Sequence, residues 1–257
     1  MNDILVLCYH AVSPTWPAPL SVMPDRFRAQ LRTLADRGYA GTTFTEAVAG
    51  RARGRRVAVT FDDGYLNVLT RARPILDELG WPATVFVPTD HVGSGRPMSW
   101  PGIDHWLGTE HEPELLPLDW DQLRELQGAG WEIGGHTRSH PHLTTLDDDT
   151  LAAELTVSKA VVERELGHCA SIAYPYGDVD PRVVAAAREA GYRTGAGLPA
   201  GRLVRSALAW PRIGIYHGDD RRFRQKASRV ARGLQSSPVG SAVRSVAQWR
   251  GRGAGVR

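Results

Sequence analysis

The sequence predicts an α/β fold: a closed or nearly closed barrel of parallel strands wrapped by helices. Three observations predict it. Short apolar runs alternate with helix-period segments about six or seven times along the chain. Acidic and imidazole side chains stand just past the ends of several of those runs, the edge at which barrel active sites collect. The length of 257 residues suits one such unit.

The elements follow in order. Residues 4–9 form a buried-strand type of run. Residues 25–37 place Phe27, Leu31 and Leu34 on one helical face and stop at Gly38. Residues 57–61 are the next strand, and 71–79 are helical, with Pro74 marking a break or a new start. Strands are expected at 83–87, 131–133 and 171–174, with a turn at Gly134-Gly135 after the second of these. Helices are expected at 120–129, 147–166 and 181–190, and late strands at 192–195 and 211–215. Residues 91–119, rich in Gly, Pro and Trp, interrupt the rhythm and are expected to cover the barrel mouth.

The expected catalytic domain is therefore 1–220, followed by a basic tail at 221–257. The chain is 42% hydrophobic and 23% charged, ordinary for a soluble protein with a real core. Its net charge of +3 is uneven, because the tail holds nine Arg, one Lys and no acid. The tail reads as helical then disordered, and either solvated or in peripheral contact with an anionic membrane. Nothing in it calls for a nucleic-acid partner. Cys8 and Cys169 have no metal-binding spacing and imply no disulfide framework, which fits a reducing compartment. The start, MNDILVLCYHAV, lacks the basic region of a secretion signal, and no run reaches the ~20 apolar residues of a membrane span. The expectation is a cytoplasmic protein, able to touch the inner face of the membrane.

Two motifs carry the chemistry. Asp62 and Asp63 follow the strand at 57–61. Adjacent carboxylates repel when buried, unless one meets a cation and the other serves a proton. A helix N-cap is the other use of such a pair. His136 and His140 follow the strand at 131–133. Their spacing places both imidazoles on one side of a helical turn, within reach of one metal ion. Two histidines and one carboxylate leave positions for water and substrate, the catalytic type of metal site.

Thr-Phe-Asp-Asp-Gly at 60–64, His-Thr-Arg-Ser-His at 136–140 and Tyr-Pro-Tyr-Gly at 174–177 resemble, in this order, the polysaccharide deacetylase family (carbohydrate esterase family 4, the nodulation-type deacetylase domain). The resemblance spans roughly residues 4–216. It implies a distorted, incomplete (β/α) barrel of about seven strands that hydrolyses an N-acetyl group from an amino sugar. The sugar would be an oligosaccharide, a lipid-linked sugar or a small glycoside. A divalent metal is implied, Zn2+ first, with Co2+, Ni2+ or Mn2+ as alternatives. Asp62 would be the base, and Asp63, His136 and His140 the metal ligands. Tyr176 would supply a main-chain N–H to the oxyanion, in a loop shaped by Pro175. A deformylase or other small-acyl amidase, or a silent carbohydrate-binding barrel, are the other readings of the same scaffold.

Two features depart from the family pattern. Many members carry, where this chain has Ala173, an Arg that pairs with the base, so another group must hold Asp62. Many also end with a Leu-x-His that supplies the acid, and none follows the last strand here. The subset with an N-terminal Tyr-His and an Ala-Tyr-Pro-Tyr-Gly element fits better, and it includes deacetylases of poly-N-acetylglucosamine. It places His10 in the mouth as acid or as orienter of Asp62, with His217 as the rival. His142, after Pro141, reads as shaping its loop. Tyr176 and Trp100 are candidate substrate contacts, Trp100 with Asp104 and His105 lining a sugar groove or packing a lid.

Overall fold

Burial on both faces selects the first strand. In β1 (Asp3–Tyr9) the last five residues are all buried, the near-continuous apolar pattern of a strand in a covered parallel sheet. The computed structural model describes residues 3–49, 54–198, 206–219 and 223. After β1 come β2 (Ala11–Val12) and β3 (Ser21–Val22), which pair with each other alone. Then follow α1 (Pro24–Ala35), β4 (Ala40–Thr42), α2 (Phe44–Val48), β5 (Arg55–Phe61), α3 (Arg73–Asp77) and β6 (Thr84–Val87). Beyond the 91–119 segment lie α4 (Trp120–Gly128), β7 (Glu132–Gly135), α5 (Asp148–Leu166), β8 (Ser171–Ala173), α6 (Pro181–Glu189), β9 (Thr194–Gly197), β10 (Trp210–Pro211) and β11 (Ile213–Gly214).

The main sheet is parallel, in the order β10-β9-β8-β7-β6-β5-β1-β11, with β4 added beside β5. Only Arg212 separates β10 from β11, yet they pair with opposite edges, β9 and β1. One kinked segment thus draws the sheet into a nearly closed barrel, as the sequence predicts. Arg212 donates its main-chain N–H to Gly197 O (3.0 Å), and Ile215 donates to Cys8 O (2.8 Å). The late strand expected as one piece at 211–215 is therefore two, broken at the seam.

The helices start where acidic caps allow. Asp119, Asp147 and Asp180 accept main-chain N–H bonds at the heads of α4, α5 and α6, and Asp119 closes a full capping box with Gln122. Pro74 is a new start rather than a break, lying at the head of α3 behind a π-helical turn, Val68–Ala72. At the N-terminal end of the barrel the half-buried Glu132 accepts from Thr45 N (2.8 Å), Thr45 Oγ1 (2.5 Å), Thr84 Oγ1 (3.3 Å) and Ser171 Oγ (2.5 Å). This carboxylate joins α2, β6, β7 and β8 at the end opposite the candidate site.

Gly134 and Gly135 do not form a turn; they complete β7. They are glycines because of close approach. A Cβ on Gly134 would lie 2.6 Å from both Phe86 Cδ1 and Ser171 Oγ, and one on Gly135 would lie 2.6 Å from the Tyr192 hydroxyl. The 91–119 segment buries Met98, Ile103, Leu115 and Leu118 and lies against the turn after β5. There Leu118 N donates to Gly64 O and Leu66 N to Leu116 O, both at 2.8 Å. Glu114 pins it to the start of the chain through Ser13 Oγ (2.6 Å) and Thr15 Oγ1 (3.1 Å). The expected tail at 221–257 lies outside the described residues, except Phe223, which is buried. Among the described residues no helix is long and apolar enough to cross a membrane.

Gly134→Ala is expected to lower the unfolding free energy by about 1–3 kcal/mol through overpacking. Urea unfolding measures this, and an unchanged midpoint would show that Phe86 and Ser171 can yield.

Candidate metal centre

The strand β5 delivers its carboxylates at the C-terminal end of the barrel. Asp62 continues the ladder, donating its N–H to Tyr9 O (3.0 Å). At Asp63 the main chain turns left-handed (φ 71°), and Gly64 keeps that hand (φ 70°). The two buried side chains consequently meet different partners.

Asp63 faces the histidines. Its Oδ1 is 3.3 Å from Nε2 of His136 and 3.3 Å from Nε2 of His140. His136 Nδ1 lies 2.8 Å from Ala173 O, to which it donates, so Nε2 is the ring nitrogen turned towards Asp63. All three side chains are buried, and among the described residues Asp63 Oδ1 and His140 Nδ1 have no hydrogen-bond partner. Burial pushes the Asp63 carboxyl up, but the two imidazoles against it hold it well below the ordinary carboxylate range. A converging carboxylate and two imidazoles, with a buried orphan oxygen between them, fit a divalent cation.

The histidines do not share a helical turn. Residues 136–140 form an irregular loop with left-handed residues at Thr137 (φ 67°) and His140 (φ 66°). Outside partners impose its shape. Glu154 of α5 accepts from the amides of Arg138 and Ser139 (2.9 Å each) and from Ser139 Oγ (2.7 Å). Thr89 N donates to Thr137 O (3.2 Å) and Asp90 N to Arg138 O (2.9 Å). Two reversals of hand achieve the convergence that the spacing suggested a helix would.

Asp62 meets Arg212. Nη1 donates to Oδ1 at 2.6 Å and Nη2 to Oδ2 at 2.7 Å, a bidentate pair buried on both sides. Burial pushes the Asp62 carboxyl up, but the guanidinium outweighs it and holds the group at about 2. Arg212 reaches Asp62 from the barrel seam and provides the counter-charge that Ala173 cannot. Sequence reasoning missed it. The available signal was a lone Arg inside an apolar strand run, which implies a buried partner.

His10 follows β1. One of its ring nitrogens, Cys8 Sγ and an Asp62 oxygen lie within 4.8 Å of one another. Burial keeps the His10 imidazole below its ordinary value, hence neutral near pH 7. Cys8 Sγ donates to Asp62 Oδ2 at 3.4 Å. This trio is not a second cation site, because Arg212 already engages both Asp62 oxygens and would repel a cation there. The rival His217 is exposed, its main-chain N–H bonded to Pro19 O (2.9 Å), and it does not join the group.

Trp100 is not an open stacking surface. It is only 8% exposed and lies flat on His140, with ring centroids 4.1 Å apart, so it is a wall that backs a candidate ligand. Asp104 is exposed and serves its own turn, accepting from His105 N (3.0 Å), while the exposed His105 packs on Trp106. Tyr176 is 38% exposed, left-handed (φ 59°), and edge-on to His140 at 4.7 Å. Asp63, Thr137, His140 and Tyr176 are all the left-handed non-glycine residues among those described, and all four gather here. Each such conformation costs about 1–3 kcal/mol, and strain of this kind concentrates at functional sites.

The model of the family described as polysaccharide deacetylase matches residues 49–195, more than half of the chain and enough to take in both motifs. The chain belongs to the polysaccharide deacetylase family. It is 26% identical over 247 residues to YxkH of Bacillus subtilis, a protein named for the same family, covering 94% of this chain and 76% of that one. It is 27% identical over 189 residues to the poly-β-1,6-N-acetyl-D-glucosamine N-deacetylase of Staphylococcus aureus (strain MRSA252), covering 68% of this chain and 60% of that enzyme. Among solved structures it resembles IcaB from Ammonifex degensii, with a TM-score of 0.72, 25% identity, and coverage of 90% of this chain and 98% of that one. The Streptococcus pyogenes deacetylase PplD, solved with acetate, gives a TM-score of 0.71 at 25% identity, covering 87% of this chain and 97% of that one.

Replacing Arg212 with Leu leaves Asp62 buried without its counter-charge. The carboxyl is then expected to titrate above the ordinary carboxylate range, with a loss of about 3–5 kcal/mol in stability. Carbon NMR of the labelled carboxyl reads the titration, with the milder Arg212→Lys as a second variant. A carboxyl that still titrates near its original position in both would mean that Arg212 is not what holds it.

Proposed function

We propose that this chain is a metal-dependent N-deacetylase that releases acetate from an N-acetylated amino sugar. One observation carries the reading. Two neighbouring buried carboxylates are separated into a candidate cation site with His136 and His140 and an ionised base paired to Arg212. The similarity to an N-acetylglucosamine polymer deacetylase supports the substrate class. Oligosaccharides, lipid-linked sugars and small glycosides all belong to it.

Asp63, His136 and His140 would hold the metal, Zn2+ first among Co2+, Ni2+ and Mn2+. The bound ion would supply Lewis acidity towards the acetamide carbonyl and the attacking water. Asp62 takes the water proton. Arg212 keeps that carboxylate ionised and fixed, at some cost in basicity. His10, with a ring nitrogen within 4.8 Å of an Asp62 oxygen, would take that proton on to the amine nitrogen as the C–N bond breaks. By the family resemblance, the main-chain N–H of Tyr176 donates to the developing oxyanion.

The test is acetate release from a panel of N-acetylglucosamine oligomers and glycosides, with a chelator control. Asp62→Asn should retain the metal and lose about 10²–10⁴-fold in turnover, the range of general base catalysis. Full turnover in metal-loaded Asp62→Asn would remove the base from this residue, and no acetate from any sugar would contradict the substrate class.

A further inference from the structure

His142 and Asp178 stand two residues beyond His140 and Tyr176, and neither has a part in the chemistry above. His142 Nδ1 donates to Asp178 Oδ2 at 2.5 Å. The His142 ring lies flat on the Tyr176 ring, with centroids 3.8 Å apart and planes 12° apart. Tyr176 in turn meets the His140 ring edge-on. Gly177 N donates to Tyr174 O (2.9 Å) and Asp178 N to Pro175 O (3.0 Å), so Asp178 is built rigidly into the turn that carries Tyr176. The histidine loop is braced on its other side by Glu154. Tyr176 keeps a left-handed main chain, a conformation that persists only where the surroundings over-determine it.

We infer that His142 and Asp178 are a positioning pair that staples the Tyr176 loop to the His136–His140 loop. The staple rests on the proposed reaction for its purpose, which is to hold the oxyanion side at a set distance from the candidate ligands. The hydrogen bond crosses between the loops, and the ring stack presses Tyr176 against His140. The pair works with neutral or charged His142, since Nδ1 is the donor in both. It needs no contact with the substrate.

The test compares Asp178→Ala, His142→Ala, the double variant and Asp178→Asn, all metal-loaded. Loss of this half-buried hydrogen bond should speed amide hydrogen exchange within 174–178 about tenfold in either single Ala variant, and no further in the double. The kcat should fall about tenfold while KM and metal content hold, and Asp178→Asn, which still accepts the bond, should restore both readouts. Unchanged exchange at 174–178 in Asp178→Ala, or losses that simply add in the double variant, would overturn the staple. A wild-type protein inactive on every sugar would instead contradict the deacetylase reading, and the exchange measurement would still decide the staple.

Discussion

Two buried carboxylates on consecutive residues cannot both stay ionised unless each has its own counter-charge. The rest of this structure depends on how Asp62 and Asp63 meet that demand. A left-handed residue at Asp63 parts the side chains. Asp62 then takes a guanidinium, and Asp63 takes two imidazoles that fit a cation. Exchange of these partners would spoil both, because a base must keep its lone pairs for a proton and a metal ligand must not be occupied by Arg.

Barrel closure and site assembly are consequently the same event. Arg212 is the single residue between β10 and β11, and those strands pair with opposite edges of the sheet. Its main chain forms part of the seam and its side chain neutralises Asp62 inside. Without the Arg212 side chain the closed barrel would leave that carboxylate buried and uncompensated, which costs several kcal/mol. The strained loops behave similarly. Thr137 and His140 hold unfavourable conformations because Glu154, from a helix packed outside the barrel, takes up the loop amides. Stability elsewhere in the fold supports strain at the centre.

The alternation of strands and helices was legible because buried parallel strands read as apolar runs and capped helices read as periodic ones. The strands β4 and α2's five-residue helix were not, since elements so short carry too little pattern to register. Asp62, Asp63, His136 and His140 were legible as chemistry, because paired acids and paired imidazoles at strand ends have few other uses. Their local geometry was not. No residue type at Thr137 or His140 announces a left-handed main chain, which is imposed by tertiary partners. Gly134 and Gly135 looked like a turn because the contacts that forbid a Cβ come from Phe86, Ser171 and Tyr192, distant in sequence. Arg212 carried only the signal of a lone cation in an apolar run, and its partner could not be read because it lies 150 residues away.

The central claim is the division of labour between the two aspartates. Anomalous diffraction from crystals grown with one equivalent of Zn2+, recorded at its absorption edge, tests it directly. The account predicts a single strong peak between Asp63, His136 and His140, with Asp62 still paired to Arg212. A peak on Asp62, or an Arg212 side chain displaced from it, would contradict the account.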